Sequence, residues 1–149
     1  DAQGQILRNM ELLWQAYYSE RCVIVRPTGI YGTSIHRLKR LAEQTQSYAN
    51  IHYSNRIHID DLARFLAVLA DVPDPAVSYI VSNNQPVPMH EILLWLQQQL
   101  HLPPLTLAST QLTGKQIYAT RMCATGFEYE HVICFNDYAA LLVEHGNAT

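Results

Sequence analysis

The run Ile57-His58-Ile59-Asp60-Asp61 sets an imidazole and two carboxylates within five residues. Residues two apart on a strand share a face, so His58 and Asp60 could pass a proton between them. A second reading makes Asp60 the N-cap of a following helix, its carboxylate accepting from the first free amides. The cap is the simpler assignment. Asp60 and Asp61 could also draw a hard cation, but two adjacent carboxylates fall short of the roughly six to eight oxygens such an ion takes. No metal site is therefore expected. The three cysteines, Cys22, Cys123 and Cys134, show neither Cys-x-x-Cys nor Cys/His spacing. An odd number without local activating partners reads as free thiols in a reducing compartment. Lys115 reads as a surface lysine, and the spacing singles out no catalytic residue.

Elements that could position such groups alternate along the chain. Ile6, Met10, Leu13, Trp14 and Tyr17 recur at helical spacing and predict a first helix from about Gln5 to Ser19. Cys22 to Val25 is an apolar run without polar alternation, as in a strand covered on both faces of a parallel sheet. Arg26-Pro27 ends it and Thr28-Gly29-Ile30-Tyr31-Gly32 supplies a turn. Ile35 to Ala42 reads as a short helix, Tyr48 to Ser54 as irregular, and Arg56 to Ile59 as a half-exposed strand. A helix carrying Leu62, Phe65, Leu66 and Leu69 follows Asp60. Val77 to Ser82 is a second β-rich run, Pro88 opens a helix reaching Leu100, and Tyr138 to Val143 ends the chain as a helix.

With 149 residues, 48% of them hydrophobic and 15% charged, the composition is that of a globular α/β chain, and 1–149 reads as a single domain. The net charge of −3 and the absence of a basic block exclude a nucleic-acid or anionic-membrane surface. No apolar run reaches the ~20 residues of a membrane span, and no secretory signal is present, so the expected location is cytoplasmic. Two doubly covered strands cannot make a stable sheet, because their outer edges stay open. The chain also opens at Asp1 directly in helical text. Both features read as part of something longer.

Three segments in order resemble the NAD-dependent epimerase/dehydratase family, the extended short-chain dehydrogenase/reductases. They are Val23-Ile-Val-Arg26-Pro27-Thr-Gly-Ile-Tyr31-Gly32, Asn55-Arg56-Ile-His58-Ile-Asp60-Asp61-Leu62-Ala63 and Tyr79-Ile-Val-Ser-Asn83-Asn-Gln-Pro86-Val. Gly114-Lys115 and Gly126-Phe127 resemble the family's closing segments. Members are about twice this length and begin with a nucleotide-binding half that opens on a glycine-rich turn. The resemblance thus implies a partial Rossmann-like unit, the last strands of a parallel sheet, with a small helical substrate lobe. It implies NAD or NADP in the complete protein and none held tightly by this chain alone.

The family's Tyr-x-x-x-Lys pair, aligned through Glu11, falls on Gln3 and Leu7, neither of which can do that acid/base work. Gly29 and Thr33 replace the family's usual asparagine and proline, and Ser54 stands where nucleotide-sugar members carry an arginine for diphosphate. By the same resemblance Pro27 lies at the nicotinamide ring, or is a plain strand terminator. Tyr31 faces the substrate cleft, or packs with its hydroxyl satisfied. Arg56 holds a substrate anion other than diphosphate, or is structural. The Trp14/Tyr17 face of the first helix implies a partner: a second copy, or a complementary nucleotide-binding chain. Two functions follow. One is the substrate-lobe portion of an oxidoreductase that is inactive by itself. The other is a non-catalytic binding or assembly module on the same fold.

Overall fold

Strands and helices alternate much as the apolar pattern predicts, yet the strands never join into one sheet. The computed structural model describes residues 1–146. The first helix, α1 (Ala2–Tyr18), is capped by Asp1, whose carboxylate accepts from the Gly4 amide. A 3-10 turn at Ser19–Arg21 leads into β1 (Ile24–Pro27) and β2 (Gly29–Tyr31). Then come α2 (His36–Gln44), β3 (Ser47–Tyr48), β4 (Ile51–Ser54), β5 (Arg56–His58) and α3 (Ile59–Ala70). After these lie β6 (Ser78–Val81), β7 (Val87–Pro88), α4 (Met89–Gln99), β8 (Thr106–Leu107), β9 (Leu112–Thr113), α5 (Thr120–Cys123) and α6 (Cys134–Gly146).

Pairing is mostly parallel and in short ribbons. β1 runs beside β6 with Ile24 opposite Ser78, and β2 beside β5 with Tyr31 opposite His58. β3 pairs with β8, while β4 lies between β9 and antiparallel β7. The fold is mixed α/β, as expected, but β1 differs from its prediction. Cys22 to Val25 are only partly buried and Arg26 and Pro27 are exposed. The reason is that β1 has one strand neighbour, β6, among the described residues. The segment 48–54, predicted irregular, takes in the end of β3 and the whole of β4. Strands of two and four residues are too short for alternation to register.

Two apolar clusters hold the chain. One joins α2, α4 and α6 through Ile35, Ala42, Ile92, Leu93, Leu96, Tyr138 and Leu141. The other lies under β1, β6 and α3, built from Ile57, Phe65, Leu69, Tyr79, Val81 and Met122. Gln97 ties the first together: its Nε2 donates to Ala42 O at 2.9 Å and Thr45 O at 2.8 Å, and its Oε1 accepts from the Leu105 amide at 2.8 Å. Helix α1 joins neither cluster and has no buried residue. A cleft of about 600 Å³ separates it from β1, lined by Leu7, Met10, Trp14 and Ile24 among others. Arg26 crosses that cleft to Glu11, with Nε 2.7 Å from Oε1 and Nη2 on Oε2. No helix among the described residues is long and apolar enough to cross a membrane.

Candidate functional site

Three sequence-predicted residues sit at or near the strand ends of β1, β2 and β5, and the structure treats each differently. Pro27, the last residue of β1, is exposed and lines a shallow cleft of about 330 Å³ with Thr28, Gly29, Asn55, Ile80 and Ile117. Arg56 opens β5 opposite Gly29 and is partly buried. Its guanidinium lies 5.8 Å from the centroid of the Tyr138 ring, and Nη2 donates to Met89 Sδ at 3.3 Å. Its Nε is buried without a hydrogen-bond partner, as is the Tyr138 hydroxyl, and no carboxylate pairs with Arg56 among the described residues. Tyr31 is 6% exposed and belongs to the α2/α4/α6 cluster. Its hydroxyl donates to Asp137 Oδ2 at 2.7 Å, so it is a core residue with its polar end satisfied. Burial, with that bond to Asp137, pushes the phenol well above its usual range.

Around Tyr31 the chain gathers groups that its sequence keeps far apart. His58 meets the Tyr31 ring edge-on at 5.1 Å and stacks face to face on His131, with centroids 3.5 Å apart and planes at 11°. His131 Nδ1 lies 2.7 Å from Asp137 Oδ1, giving a hydrogen-bonded chain from Tyr31 through Asp137 to His131. Gly32 makes the stack possible. Its φ of +115° suits glycine, and a Cβ there would lie 2.3 Å from His58 Nε2.

The predicted Asp60 cap is corrected. His58, in extended conformation, is the N-cap of α3, and its Nδ1 accepts from the Asp60 amide at 3.2 Å. An imidazole acceptor does here what a carboxylate was expected to do. Asp60 instead lies in the first turn, two-thirds exposed, where its charge suits the helix dipole. Asp61 turns the other way. Fully buried, it accepts from the Glu130 amide at 3.0 Å, the His131 amide at 2.9 Å and Arg64 Nη1 at 2.8 Å. That clamp presses the loop before α6 onto α3 and holds His131 against His58. The two aspartates therefore do not form a joint cation site. Burial, followed by electrostatic repulsion from His131, lowers the His58 pKa.

Gln3 and Leu7 are exposed on α1. Lys115 is exposed and offers its backbone carbonyl to Asn55 Nδ2 at 2.8 Å. Cys22, Cys123 and Cys134 are free thiols. Sequence reasoning missed His131, Asp137 and the role of Asp61. The second acidic residue after Ile-His-Ile carried a signal, since a helix needs only one cap. His131 and Asp137 stand in a segment without periodicity and carried none.

No family model matches the chain, and no curated protein matches it. Solved structures do. A presumed NAD-dependent epimerase/dehydratase from Methylobacillus flagellatus superposes with a TM-score of 0.74 at 30% identity, over 97% of this chain and 54% of that one. dTDP-glucose 4,6-dehydratase from Bacillus anthracis, in complex with NAD, gives a TM-score of 0.66 at 12% identity, over 90% and 49%. UDP-N-acetylglucosamine 4-epimerase from Bacillus cereus gives 0.64 at 12%, over 91% and 51%. The chain spans about half the length of these structures. It has the fold of the NAD-dependent epimerase/dehydratase family over that half.

Proposed function

We propose that this chain is the substrate-lobe portion of an NAD(P)-dependent epimerase/dehydratase-like oxidoreductase, active only together with a nucleotide-binding half. The observation that carries the reading is the uncovered side of the molecule. Among the described residues helix α1 buries none of its side chains, β1 has a single strand neighbour, and a cleft of about 600 Å³ lies between them. Apolar surface and unpaired strand edges of that kind call for covering protein. Relatives of similar fold are about twice as long.

Pro27 is proposed to border the nicotinamide end of the cofactor, in the cleft it shares with Thr28 and Asn55. The described residues supply no glycine-rich turn at a helix N-terminus for a pyrophosphate, so they fit only that end of NAD(P). Arg56, a cation without a carboxylate partner, is proposed to hold an anionic substrate group once substrate approaches. Tyr31 contributes from beneath, fixing Asp137 and His58. Free thiols fit a reducing, cytoplasmic setting.

A second reading rests on Gln3 and Leu7. Without an ionisable pair at those exposed positions, the same lobe serves as a non-catalytic assembly module. Native mass spectrometry of the protein from its own cells, followed by NADH titration, separates the readings. The proposal expects covalent or non-covalent association with a nucleotide-binding half, and saturable NADH binding by the assembly. Isolation alone or only as copies of itself overturns it. A stable assembly that binds NADH but turns over no carbonyl substrate favours the module.

A further inference from the structure

We infer that His58, Asp60 and His131 form a site for one divalent cation of the zinc type, with Asp137 orienting His131. Three elements deliver the donors: the end of β5, the first turn of α3, and the loop before α6. Asp60 Oδ2 lies 3.7 Å from His58 Nδ1 and 3.9 Å from His131 Nε2, and all three atoms fall within 4.8 Å of one another. Donors around a zinc ion at bond lengths of about 2.0–2.2 Å sit roughly 3.4 Å apart, so the two Asp60 edges need to contract by about half an ångström or less and the edge between the imidazoles by up to about 1.4 Å.

Protonation makes the cluster a receptor rather than a network. Asp137 already accepts from Tyr31, and as a carboxylate it takes its second hydrogen bond from His131 Nδ1–H. His131 Nε2 is then left as a bare lone pair facing Asp60. This carboxylate–histidine arrangement fixes the tautomer and the orientation of the ring. His58 Nδ1 accepts from the Asp60 amide, so that nitrogen is the unprotonated one, its lone pair held by the cap until an ion displaces the amide. Asp60, Asp61, Glu130 and Asp137 outnumber Arg64, which pairs with Asp61 and Glu130. The local field therefore favours a cation.

The stacked rings define the motion that binding requires. With planes at 11° and centroids 3.5 Å apart, the two lone pairs lie in nearly parallel, offset planes, so one ion cannot sit in both until a ring tilts. His131, one-quarter exposed, tilts about its bond to Asp137, and His58 loosens its hold on the Asp60 amide. Asp60 is two-thirds exposed, so the ion keeps an open side toward solvent where water or a substrate oxygen completes its shell. A His/His/carboxylate set selects zinc, cobalt or iron over magnesium or calcium, which prefer all-oxygen shells.

The test is a Co²⁺ titration of the untagged, chelator-treated protein, followed by visible d–d absorption, with competition by Zn²⁺. One saturable Co²⁺ per chain with the strong absorption of a four- or five-coordinate ion, displaced by Zn²⁺ but not by Mg²⁺, is the expected result. Asp60→Asn leaves the helix cap in place and should weaken binding at least about tenfold. Asp137→Asn, which weakens the bond that orients His131 and alters the acceptor of the Tyr31 hydroxyl, should weaken it about tenfold as well. Circular dichroism on both variants checks the fold. Absence of saturable absorption at millimolar Co²⁺, or equal binding by wild type and folded Asp60→Asn, overturns the site.

Discussion

Helices α1 and α4 read alike in the sequence and end up in opposite circumstances. Each carries an apolar stripe at helical spacing. α4 buries His90, Ile92, Leu93, Leu96 and Gln97, whereas α1 buries nothing along 17 residues. Periodicity reports that a face wants cover. It does not report whether the covering surface lies in the same half of a protein. Trp14 and Tyr18 make the best of exposure by stacking on each other at 5.1 Å.

The sharpest way to break this comparison is to truncate one leucine on each helix. Leu96→Ala should cost about 2–5 kcal/mol, the range for emptying a closed core site, whereas Leu13→Ala, 61% exposed, should stay within about 0.5 kcal/mol. Urea denaturation of both variants measures it, and equal losses would dissolve the contrast. If a nucleotide-binding half covers α1, its presence should turn the Leu13→Ala loss into a core-like one. Next in size is Asp61→Asn. An amide can serve only one of the two loop amides and cannot pair with Arg64, so a loss of about 3 kcal/mol is expected. Hydrogen exchange at Glu130 and His131 should quicken as well. A loss near zero would mean that apolar packing alone seats the loop.

pH sharpens the contrast further. Burial pushes the Cys134 thiol up to about 11 from 9.0, and Tyr138, beside it on α6, is raised for the same reason. The unfolded thiol ionises first, so between about pH 9 and 11 the folded state binds more protons and stability falls as pH rises. That stability is fully present below about pH 9 and declines at up to about 1.4 kcal/mol per pH unit for each such group. Cys134→Ala should flatten the alkaline slope in urea midpoints, and an unchanged slope would remove the thiol from the account. Smallest of all is Glu11→Gln, which removes the ion pair tying α1 to β1. The Arg26 side chain is 47% exposed, so thermal melts should shift by less than about 1 kcal/mol at physiological salt.

The α/β class, the four longest helices and the β1 and β6 segments were legible because their stripes span several turns or a full apolar run. β3 and β4 were not, since their pairing partners lie about sixty residues away and leave no trace locally. Within the site, His58 and Asp60 stood out through their spacing, and Arg56 only through the family resemblance. His131 and Asp137 acquire meaning only when Asp61 captures the loop. Tyr31 was visible as a residue but not in its role, because nothing near it in the chain announces Asp137.

Parallel pairing sets a timetable as well as a shape. β1 closes only on β6, and the Tyr31–Asp137 bond spans 106 residues. Contacts so remote in sequence cannot form until most of the polypeptide has left the ribosome, and they make folding slow. Helix α1, needing no distant partner for its backbone, emerges early with its greasy stripe bare. Bare while those contacts wait for the rest of the chain, that stripe is a surface a chaperone would hold.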